Sequence, residues 1–256
     1  MPIALVTGGT AGIGAAFARE LAARGYDLVL VARTASRLDE VAGELRAGGR
    51  EVETIVADLG RLDDVERVAQ RLADTARPID LLVNNAGYGM KTRLDEPDLA
   101  EAADAITVMM HGPLVLSAAV VPGMRERGHG AIINVASVAG YTSMGLYSAI
   151  KAWMRVYSES LSNALRGTGV TVTALLPGWV RTEFHDRAAI RTSSIPASLW
   201  LTSDFLVKAC LRDVARGRAI SLPSVRYRFL TWLLRHLPMG TVRWVSSRLS
   251  SSRHDA

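Results

Sequence analysis

Cysteine is almost absent from this sequence, since Cys210 is the only one among 256 residues. A single cysteine excludes a disulfide within the chain and leaves no cysteine cluster for a metal, so we expect no metal site. The first residues, Met-Pro-Ile-Ala-Leu-Val, lack the basic and then apolar pattern of a secretory signal. We therefore expect a reducing, cytoplasmic location.

Lysine is also scarce. Only three of the thirty basic residues are lysines: Lys91, Lys151 and Lys208. The net charge is +5, but no compact Lys/Arg run of the kind typical of nucleic-acid binding is present, so we expect no nucleic-acid partner. Long apolar runs are lacking too, because the longest one, 105–121, is interrupted by a His-Gly-Pro triplet at 111–113. This run predicts a buried helix and not a membrane span.

What the chain does have is an opening strand, a glycine-rich turn and a helix. The run 3–6 is apolar, the turn reads Thr-Gly-Gly-Thr-Ala-Gly-Ile-Gly over 7–14, and a helical pattern follows over 15–24. Glycines let such a turn close and let its backbone approach a pyrophosphate, which the free N–H groups and positive dipole of the helix then attract. The predicted dinucleotide contacts in the turn are Thr7, Gly8, Gly9, Thr10, Gly12, Ile13 and Gly14.

The second strand, 27–32, ends where a fold that selects NAD would carry an acidic residue for the ribose 2′-hydroxyl. Here Ala32 leaves room, and Arg33 and Thr34 follow, so a guanidinium fork is available for a 2′-phosphate. Arg37 is a second candidate for this contact. The alternative is that Arg33 only caps the strand. The pattern favours NADP(H) over NAD.

Strands alternate with helical patterns along the rest of the chain. Five more strands are predicted at 51–57, 79–83, 131–136, 170–176 and 218–222. This alternation indicates an α/β fold, a single doubly wound Rossmann-type domain with a seven-stranded, mostly parallel sheet and helices on both faces. We expect residues 1–223 to form the nucleotide-binding and catalytic domain. Residues 224–256 are predicted to be a basic amphipathic extension of the same domain.

Two further strand ends suit a cofactor that lies across the carboxyl edge of the sheet. Asp58 follows the third strand, where it would accept a hydrogen bond from an adenine amino group or, alternatively, cap the next helix. The fourth strand ends in Asn-Asn-Ala-Gly at 84–87, and these small residues would face the first glycine turn. Helices are predicted over 63–76 and over 100–121, with Pro122-Gly123 ending the longer one.

A hydroxyl, a phenol and an ammonium fall close together in the sequence as Ser137, Tyr147 and Lys151. The four-residue spacing places Tyr147 and Lys151 on one face of a helix that opens at Tyr147. A lysine charge beside a phenol lowers the phenol's pKa, which suits proton transfer at a carbonyl or alcohol oxygen. Ser137, at the end of the fifth strand, would donate to that oxygen. An ordinary amphipathic helix shows the same Tyr–Lys spacing, so the spacing alone does not indicate catalysis. The other motifs in the chain favour the catalytic interpretation.

Together these motifs resemble the short-chain dehydrogenase/reductase family, in its NADP-preferring branch. Five landmarks in chain order carry the resemblance: the turn at 7–14, Asp58-Leu59, Asn84-Asn-Ala-Gly87, Ser137 with Tyr147-x-x-x-Lys151, and Pro177-Gly178. The resemblance implies that Tyr147 is the general acid in carbonyl reduction and that Ser137 positions and polarises the carbonyl. It also implies that Lys151 lowers the pKa of the tyrosine and holds the nicotinamide ribose.

The resemblance implies further cofactor contacts and an assembly. These contacts are Tyr147, Lys151, Leu59, Asn85, Ala86, Gly87, Pro177, Gly178, Val180 and Thr182, of which Thr182 would reach the nicotinamide amide or the phosphates. Asn84 would brace the sheet beneath the cofactor, and residues 181–200 would form a mobile substrate loop. Relatives pair through two long helices, here 100–121 and 147–166, so a homodimer or homotetramer is expected.

The sequence departs from the family pattern at two points. Members of the family usually carry an asparagine in the long central helix, but the aligned residue here is Met109, and a thioether does not replace the hydrogen bonding of an amide. His111 lies two residues away and does not share that helix face. The Ser137–Tyr147 spacing is also shorter than in many members, which would open or reshape the substrate pocket.

The last part of the chain mixes arginine with tryptophan, phenylalanine and leucine, over 227–237 and 242–249. An arginine-rich amphipathic helix with tryptophan can lie in a membrane interface. The alternative is a helix that packs against its own subunit or against a partner subunit. We hypothesise that 224–249 gives weak peripheral membrane contact or covers an apolar substrate channel. Four residues would line a substrate pocket or pack in the core: Phe184, His185, Ile190 and Trp200.

These observations predict an NADPH-dependent oxidoreductase that transfers a hydride between the nicotinamide and a ketone or aldehyde, or the corresponding alcohol. The apolar tail and the short loop favour a hydrophobic substrate. The alternative is a catalytically weakened NADP-binding regulatory or assembly protein. Met109 supports that alternative, while the Ser-Tyr-Lys set speaks against it.

Overall fold

Seven strands form one sheet in the computed structural model, which describes residues 1–90, 92, 94–95, 97–183, 196–238, 240–243 and 246. The strands are β1 Ile3–Thr7, β2 Asp27–Ala32, β3 Val52–Val56, β4 Leu81–Asn84, β5 Gly130–Val135, β6 Val170–Leu175 and β7 Ile220–Ser221. Their order is β3-β2-β1-β4-β5-β6-β7, and each neighbouring pair is parallel. The predicted Rossmann-type fold is confirmed, and the sheet is entirely parallel where mostly parallel was expected.

Helices cover both faces of this sheet. They are α1 Gly12–Ala23, α2 Ala35–Ala47, α3 Leu62–Ala73, α4 Ala100–Ile106, α5 Gly112–Arg127, α6 Gly145–Ala164, α7 Ser203–Ala215 and α8 Val225–His236. Alternate strand residues enter two separate cores, with Leu5 on the side of α3 and α5 and Val6 on the side of α1 and α7. Because both faces are buried, the strands read as continuous apolar runs.

The position of β1 creates the crevice in which a ligand of this fold binds. β1 pairs with β2 on one side and with β4 on the other, so the strand order reverses next to it. In open parallel sheets the ligand lies beyond the carboxyl ends of the strands at this reversal. The glycine turn after β1 and the polar residues after β4, β5 and β6 therefore share one edge.

The central helix runs further than the sequence predicted. α4 and α5 are joined by a π-helical turn, Thr107–His111, and the helix continues through Pro122 to Arg127. The expected end at Pro122-Gly123 is wrong. Pro122 is exposed, so water can bond to the carbonyl that lacks its N–H partner. Met124, two residues further on, is buried and favours continuation of the helix. Residues 100–127 are long and apolar enough to cross a membrane by length and composition. Packing of Leu116 and Val120 in the core accounts for that apolar character.

Several other boundaries differ from the predictions by a few residues, among them those of α6, α3 and β7. α6 begins at Gly145, which has a φ of +72°, and not at Tyr147. α3 ends at Ala73, because Asp74 is extended and its carboxylate accepts from Ala76 N. β7 has two residues because only Ile220 and Ser221 pair with β6.

Some predicted features lie outside the described residues. These are Phe184, His185 and Ile190, most of the expected substrate loop, and the end of the 224–256 extension.

Candidate active site

The glycine turn between β1 and α1 has the conformation that a pyrophosphate cradle needs. Gly8 and Gly12 have φ values of +65° and +52°, which favour glycine, and a Cβ on Gly14 would lie 2.1 Å from the carbonyl oxygen of Gly8. Helix α1 starts with Ala11 as its N-cap, no side chain caps it and no acidic residue stands in its first turn. Its first N–H groups are therefore available to an anion. Thr10 and Ile13 are half-buried in this segment, and Gly9 packs against Leu30.

Thr7 joins the glycine turn to the end of β4. Its hydroxyl accepts hydrogen bonds from Asn85 N at 2.9 Å and Ala86 N at 3.0 Å, and it donates to Val83 O at 3.2 Å. The Asn85 amide in turn donates to Thr7 O at 3.0 Å and Gly8 O at 3.3 Å. Thr7 and Asn85, both predicted cofactor contacts, thus fix the edge on which a cofactor would lie.

The basic residues after β2 lie at the surface. Arg33, Thr34 and Arg37 are exposed, and Thr34 is the N-cap of α2 without a side-chain cap bond. Arg37 Nη1 lies 3.4 Å from Glu183 Oε2, so the structure pairs it with the segment that follows Thr182. This ion pair crosses from the β2 side of the crevice to the β6 side. No local pattern predicts this ion pair, because the two residues are 146 positions apart.

Asp58 does not cap the helix that follows it. Its Oδ1 accepts from Gly60 N at 3.0 Å, and Arg61 is the N-cap of α3. The capping alternative is therefore wrong, and the adenine contact stays a prediction. The side chain of Leu59 is buried in the core, so any contact of this residue with a cofactor would use its backbone.

Ser137 ties the end of β5 to the end of β6. It is the N-cap of a short 3-10 turn, Val138–Tyr141, and its Oγ accepts from Ala139 N at 3.1 Å. The hydroxyl also lies 3.4 Å from Pro177 O, to which it donates. The serine therefore sits beside Pro177, as its predicted place at the carboxyl edge requires.

Tyr147 and Lys151 face each other on the first turns of α6. The Lys151 ammonium lies 5.6 Å from the centre of the Tyr147 ring and donates to Val135 O at 2.8 Å. Lys151 is only 5% exposed, and this burial lowers its pKa from 10.5 to about 8. The ammonium is still the main form at neutral pH, so a positive charge stands beside the phenol. Such a charge favours the phenolate over the neutral phenol.

Met109 fills the place under the end of β4. It is fully buried, and a Cβ on Gly87 would lie 2.9 Å from its sulfur. The π-helical turn contains this residue, and π turns often occur at functional sites. The thioether packs as an apolar residue in the core, while His111 is exposed.

Asn84 belongs to a buried polar network. Its amide donates to Ser117 Oγ at 3.2 Å and Asn134 Oδ1 at 2.8 Å, and the Asn134 amide donates to Ser158 Oγ at 2.9 Å. The bracing role predicted for Asn84 therefore links α5, β4, β5 and α6. Sequence reasoning missed its two partners and the further bond to Ser158, although Asn134 was visible as a polar residue inside an apolar run.

The stretch after β6 bends back over the glycine turn. A Cβ on Gly12 would lie 3.2 Å from Thr182 Cβ, so Thr182 lies against the predicted phosphate cradle. Val180 is buried and pairs with Leu201 in a short parallel bridge. Trp200, a candidate pocket residue, lies with its ring 5.8 Å from that of Trp179.

Tyr227 is a residue of this region that the sequence did not reveal. A Cβ on Gly178 would lie 1.9 Å from its ring, so the ring covers Gly178. Its hydroxyl accepts from Trp179 N at 2.9 Å and donates to Leu199 O at 2.8 Å. Trp179 precedes the predicted substrate loop, 181–200, and Leu199 is next to its last residue, so Tyr227 pins both ends of that loop.

The crevice therefore combines an uncapped helix N-terminus, a glycine cradle that Thr182 adjoins, and a serine, a tyrosine and a lysine at neighbouring strand and helix ends. These residues fit a dinucleotide, and they define the class of doubly wound nucleotide-dependent oxidoreductases. The chain belongs to the short-chain dehydrogenase family, whose pattern matches residues 2–191. As a member of that family it is an oxidoreductase that acts on carbonyl or alcohol groups with a nicotinamide dinucleotide.

Similar proteins extend over nearly the whole chain. A very-long-chain 3-oxoacyl-CoA reductase of Anas platyrhynchos is 34% identical over 248 residues, which cover 93% of this chain and 77% of that protein. A short-chain dehydrogenase from Sphingobium yanoikuyae in complex with NADPH is 35% identical, with a TM-score of 0.83 over 93% of this chain and 97% of that one. A bulky-bulky ketone specific alcohol dehydrogenase from Comamonas testosteroni is 30% identical, with a TM-score of 0.79 over 93% and 95%.

Proposed function

We propose that this protein is a cytoplasmic, NADPH-dependent carbonyl reductase of hydrophobic ketones or aldehydes, which also oxidises the corresponding alcohols. The observation that carries the proposal is the buried Lys151 ammonium 5.6 Å from the Tyr147 ring, next to the Ser137 end of β5. Lys151 has no acidic neighbour among the described residues, and a buried charge without one is costly, so its retention beside a phenol fits a catalytic use better than a structural one.

Three side chains, those of Ser137, Tyr147 and Lys151, act together in proton transfer at the substrate oxygen. A nicotinamide bound in the crevice would supply the hydride that the carbonyl carbon accepts. Tyr147 donates its phenolic proton to the carbonyl oxygen, and Ser137 donates a hydrogen bond to the same oxygen as negative charge develops there. Lys151 stabilises the phenolate that remains, and it would hold the ribose of the cofactor. In the oxidative direction Tyr147 accepts the proton.

The preference for NADPH rests on the charge after β2. Arg33 and Arg37 are exposed at the end of that strand, where a 2′-phosphate would be bound by charge-assisted hydrogen bonds. The alternative is that Arg33 only caps the strand. The complex of the Sphingobium yanoikuyae relative with NADPH supports the same choice.

A hydrophobic substrate is favoured by the surroundings of the site and by the relatives. The rings of Trp179 and Trp200 meet at the base of the predicted substrate loop. The names of two relatives, a very-long-chain 3-oxoacyl-CoA reductase and a bulky-bulky ketone specific alcohol dehydrogenase, point to large carbonyl compounds, the first with a long acyl chain.

We further propose that two or four copies associate through α5 and α6. Leu114 on α5 is 44% exposed and Val156 on α6 is 50% exposed, so each long helix presents apolar surface to solvent. Burial of that surface against a second copy would remove it from water.

The test is NADPH oxidation with a panel of ketones and aldehydes, for wild type, Tyr147→Phe and Tyr157→Phe. Tyr157 lies on the same helix, stacks on Trp153 and serves as a matched control. We expect turnover to fall by about a thousandfold or more in Tyr147→Phe, because a general acid is removed, and to persist in Tyr157→Phe.

If wild type binds NADPH but turns over no carbonyl compound, the regulatory alternative that Met109 suggests replaces the reductase. Turnover that survives in Tyr147→Phe would remove the acid role from the tyrosine.

A further inference from the structure

Helix α8 presents an apolar stripe to solvent. Val225, Phe229 and Trp232 are 74%, 64% and 54% exposed. Their spacing of four and three residues places them on one side of the helix, which we call the outer stripe. The opposite side buries Tyr227 and Thr231. The helix is therefore apolar on the side that faces away from its own core, and packing against the rest of the described chain does not explain this.

The rings of the outer stripe form a continuous row. The Phe229 and Trp232 ring centres are 6.1 Å apart, and those of Trp232 and His236 are 4.8 Å apart. Aromatic rings with a polar edge are enriched where a bilayer meets water. This row extends over most of the helix and offers one long apolar contact.

Arginines flank the outer stripe on both sides. Arg228 and Arg235 are seven residues apart along one edge, and Arg226 lies at the other. Among the described residues, no carboxylate is within ion-pairing distance of these three guanidinium groups. Residues 214–254 contain eight arginines and no Asp or Glu, so this segment carries more positive charge than the net +5 of the whole chain.

We propose that the outer stripe docks the protein on the surface of a bilayer that contains anionic lipids. An amphipathic helix of this pattern lies in the plane of the interface, with Phe229 and Trp232 among the acyl chains and the arginines at the phosphates. A second copy is a poor occupant, because a symmetric contact would bring the same arginines together without carboxylates to neutralise them.

The location of α8 determines which part of the protein would face the bilayer. Tyr227, on the inner side, pins the ends of the predicted substrate loop, and Ser246 accepts a hydrogen bond from Ser143 N at 3.1 Å beside the Ser137–Tyr147 loop. A bilayer in contact with the outer stripe would therefore lie next to the rim of the site. The docking itself does not depend on the reaction proposed above.

The experiment is flotation of the full-length protein with vesicles of phosphatidylcholine alone or with about 30% phosphatidylglycerol. We expect binding to the anionic vesicles that weakens at about 0.5 M salt, since salt screens the arginines. Phe229→Glu with Trp232→Glu should reduce the partition coefficient by about tenfold or more, because two apolar anchors become charged. Arg228→Gln with Arg235→Gln should weaken binding to anionic vesicles selectively.

The control is Leu62→Glu with Phe205→Glu, which changes charge equally at two exposed apolar residues of α3 and α7. It should retain most of the binding. Absence of binding to anionic vesicles, or an equal loss in this control, would overturn the proposal. The proposal would also be overturned if wild type did not bind vesicles and Phe229→Glu with Trp232→Glu changed the molar mass in solution. The outer stripe would then be a subunit interface. Binding only to an acidic protein would overturn it as well.

Discussion

Lys151 shows at the scale of one residue how function works against stability. Its ammonium is buried with one backbone acceptor, Val135 O at 2.8 Å, and this burial lowers its pKa from 10.5 to about 8. A buried charge that has lost its hydration weakens the folded state wherever the group remains protonated. The same charge is what the acid role proposed for Tyr147 requires beside the phenol.

We therefore predict that Lys151→Met abolishes turnover and raises the free energy of unfolding at pH 7, by up to about 3 kcal/mol. The unfolded chain holds the extra proton between about pH 8 and 10.5, so wild-type stability rises with pH over that window and the gain of the variant shrinks. Thermal melts at pH 7 and pH 10 measure both effects. Lys208→Met, at an exposed lysine, is the control and should change little. A variant less stable than wild type at pH 7 would contradict the prediction.

Arg33 carries the second prediction at this scale. Arg33→Asp should weaken NADPH binding by about tenfold to a hundredfold and leave NADH binding nearly unchanged. Only NADPH has a 2′-phosphate, and only its complex would lose a charge-assisted hydrogen bond to the guanidinium. Fluorescence titration with both cofactors measures this difference. Arg24→Asp, at the far end of α1, is the matched control. Equal losses for the two cofactors would show that Arg33 does not contact the 2′-phosphate.

At the scale of an element, α8 contacts the rest of the site through Tyr227, one of its two buried residues. Tyr227 is 3% exposed, its ring covers Gly178, and its hydroxyl bridges Trp179 N and Leu199 O. A side chain that bonds to both ends of a loop restricts how far the loop opens. The structure thus links an element outside the minimal nucleotide-binding core to the substrate side of the crevice.

We predict that Tyr227→Phe loosens the predicted substrate loop without unfolding the sheet, because the ring remains over Gly178 while the two hydrogen bonds are lost. Limited proteolysis between 180 and 200 should become faster, and the KM for the carbonyl substrate should rise several-fold more than the Kd for NADPH. Thr231→Val removes a hydroxyl from the same buried side of α8 and should leave both quantities unchanged. Unaltered proteolysis in Tyr227→Phe would remove the loop-pinning role.

At the scale of the whole molecule, two halves of the sheet meet across the cofactor crevice. Thr7 connects β1 to β4, Thr182 lies on the glycine turn, and Arg37 pairs with Glu183 across the opening. A ligand in this crevice would contact both halves and stabilise them together.

We accordingly predict that NADPH at about a hundred times its Kd raises the free energy of unfolding by about 2.7 kcal/mol. NADH at the same concentration should give a smaller rise, because the 2′-phosphate contacts are missing. Differential scanning fluorimetry measures this shift without turnover, so it also holds for a protein that binds cofactor and does no chemistry. Equal shifts with the two cofactors would contradict the proposed preference.

The sequence by itself determined the α/β class, the order of the strands along the chain and the place of each motif at a strand end. Those features depend on local patterns, namely apolar runs of strand length, glycines between a strand and a helix, and the four-residue spacing of Tyr147 and Lys151. It also located Met109 at the position where the family resemblance implies an asparagine, although it did not show that the thioether is fully buried.

Only the tertiary structure decided contacts between residues far apart in the chain. The Arg37–Glu183 pair, the partners of Asn84 and the bridge made by Tyr227 join residues dozens to more than a hundred positions apart, and no local pattern encodes such a distance. The continuation of α5 past Pro122 was likewise decided by packing, because a helix boundary depends on which residues find burial further along. Propensity sets the local preference, and burial in the folded chain overrides it.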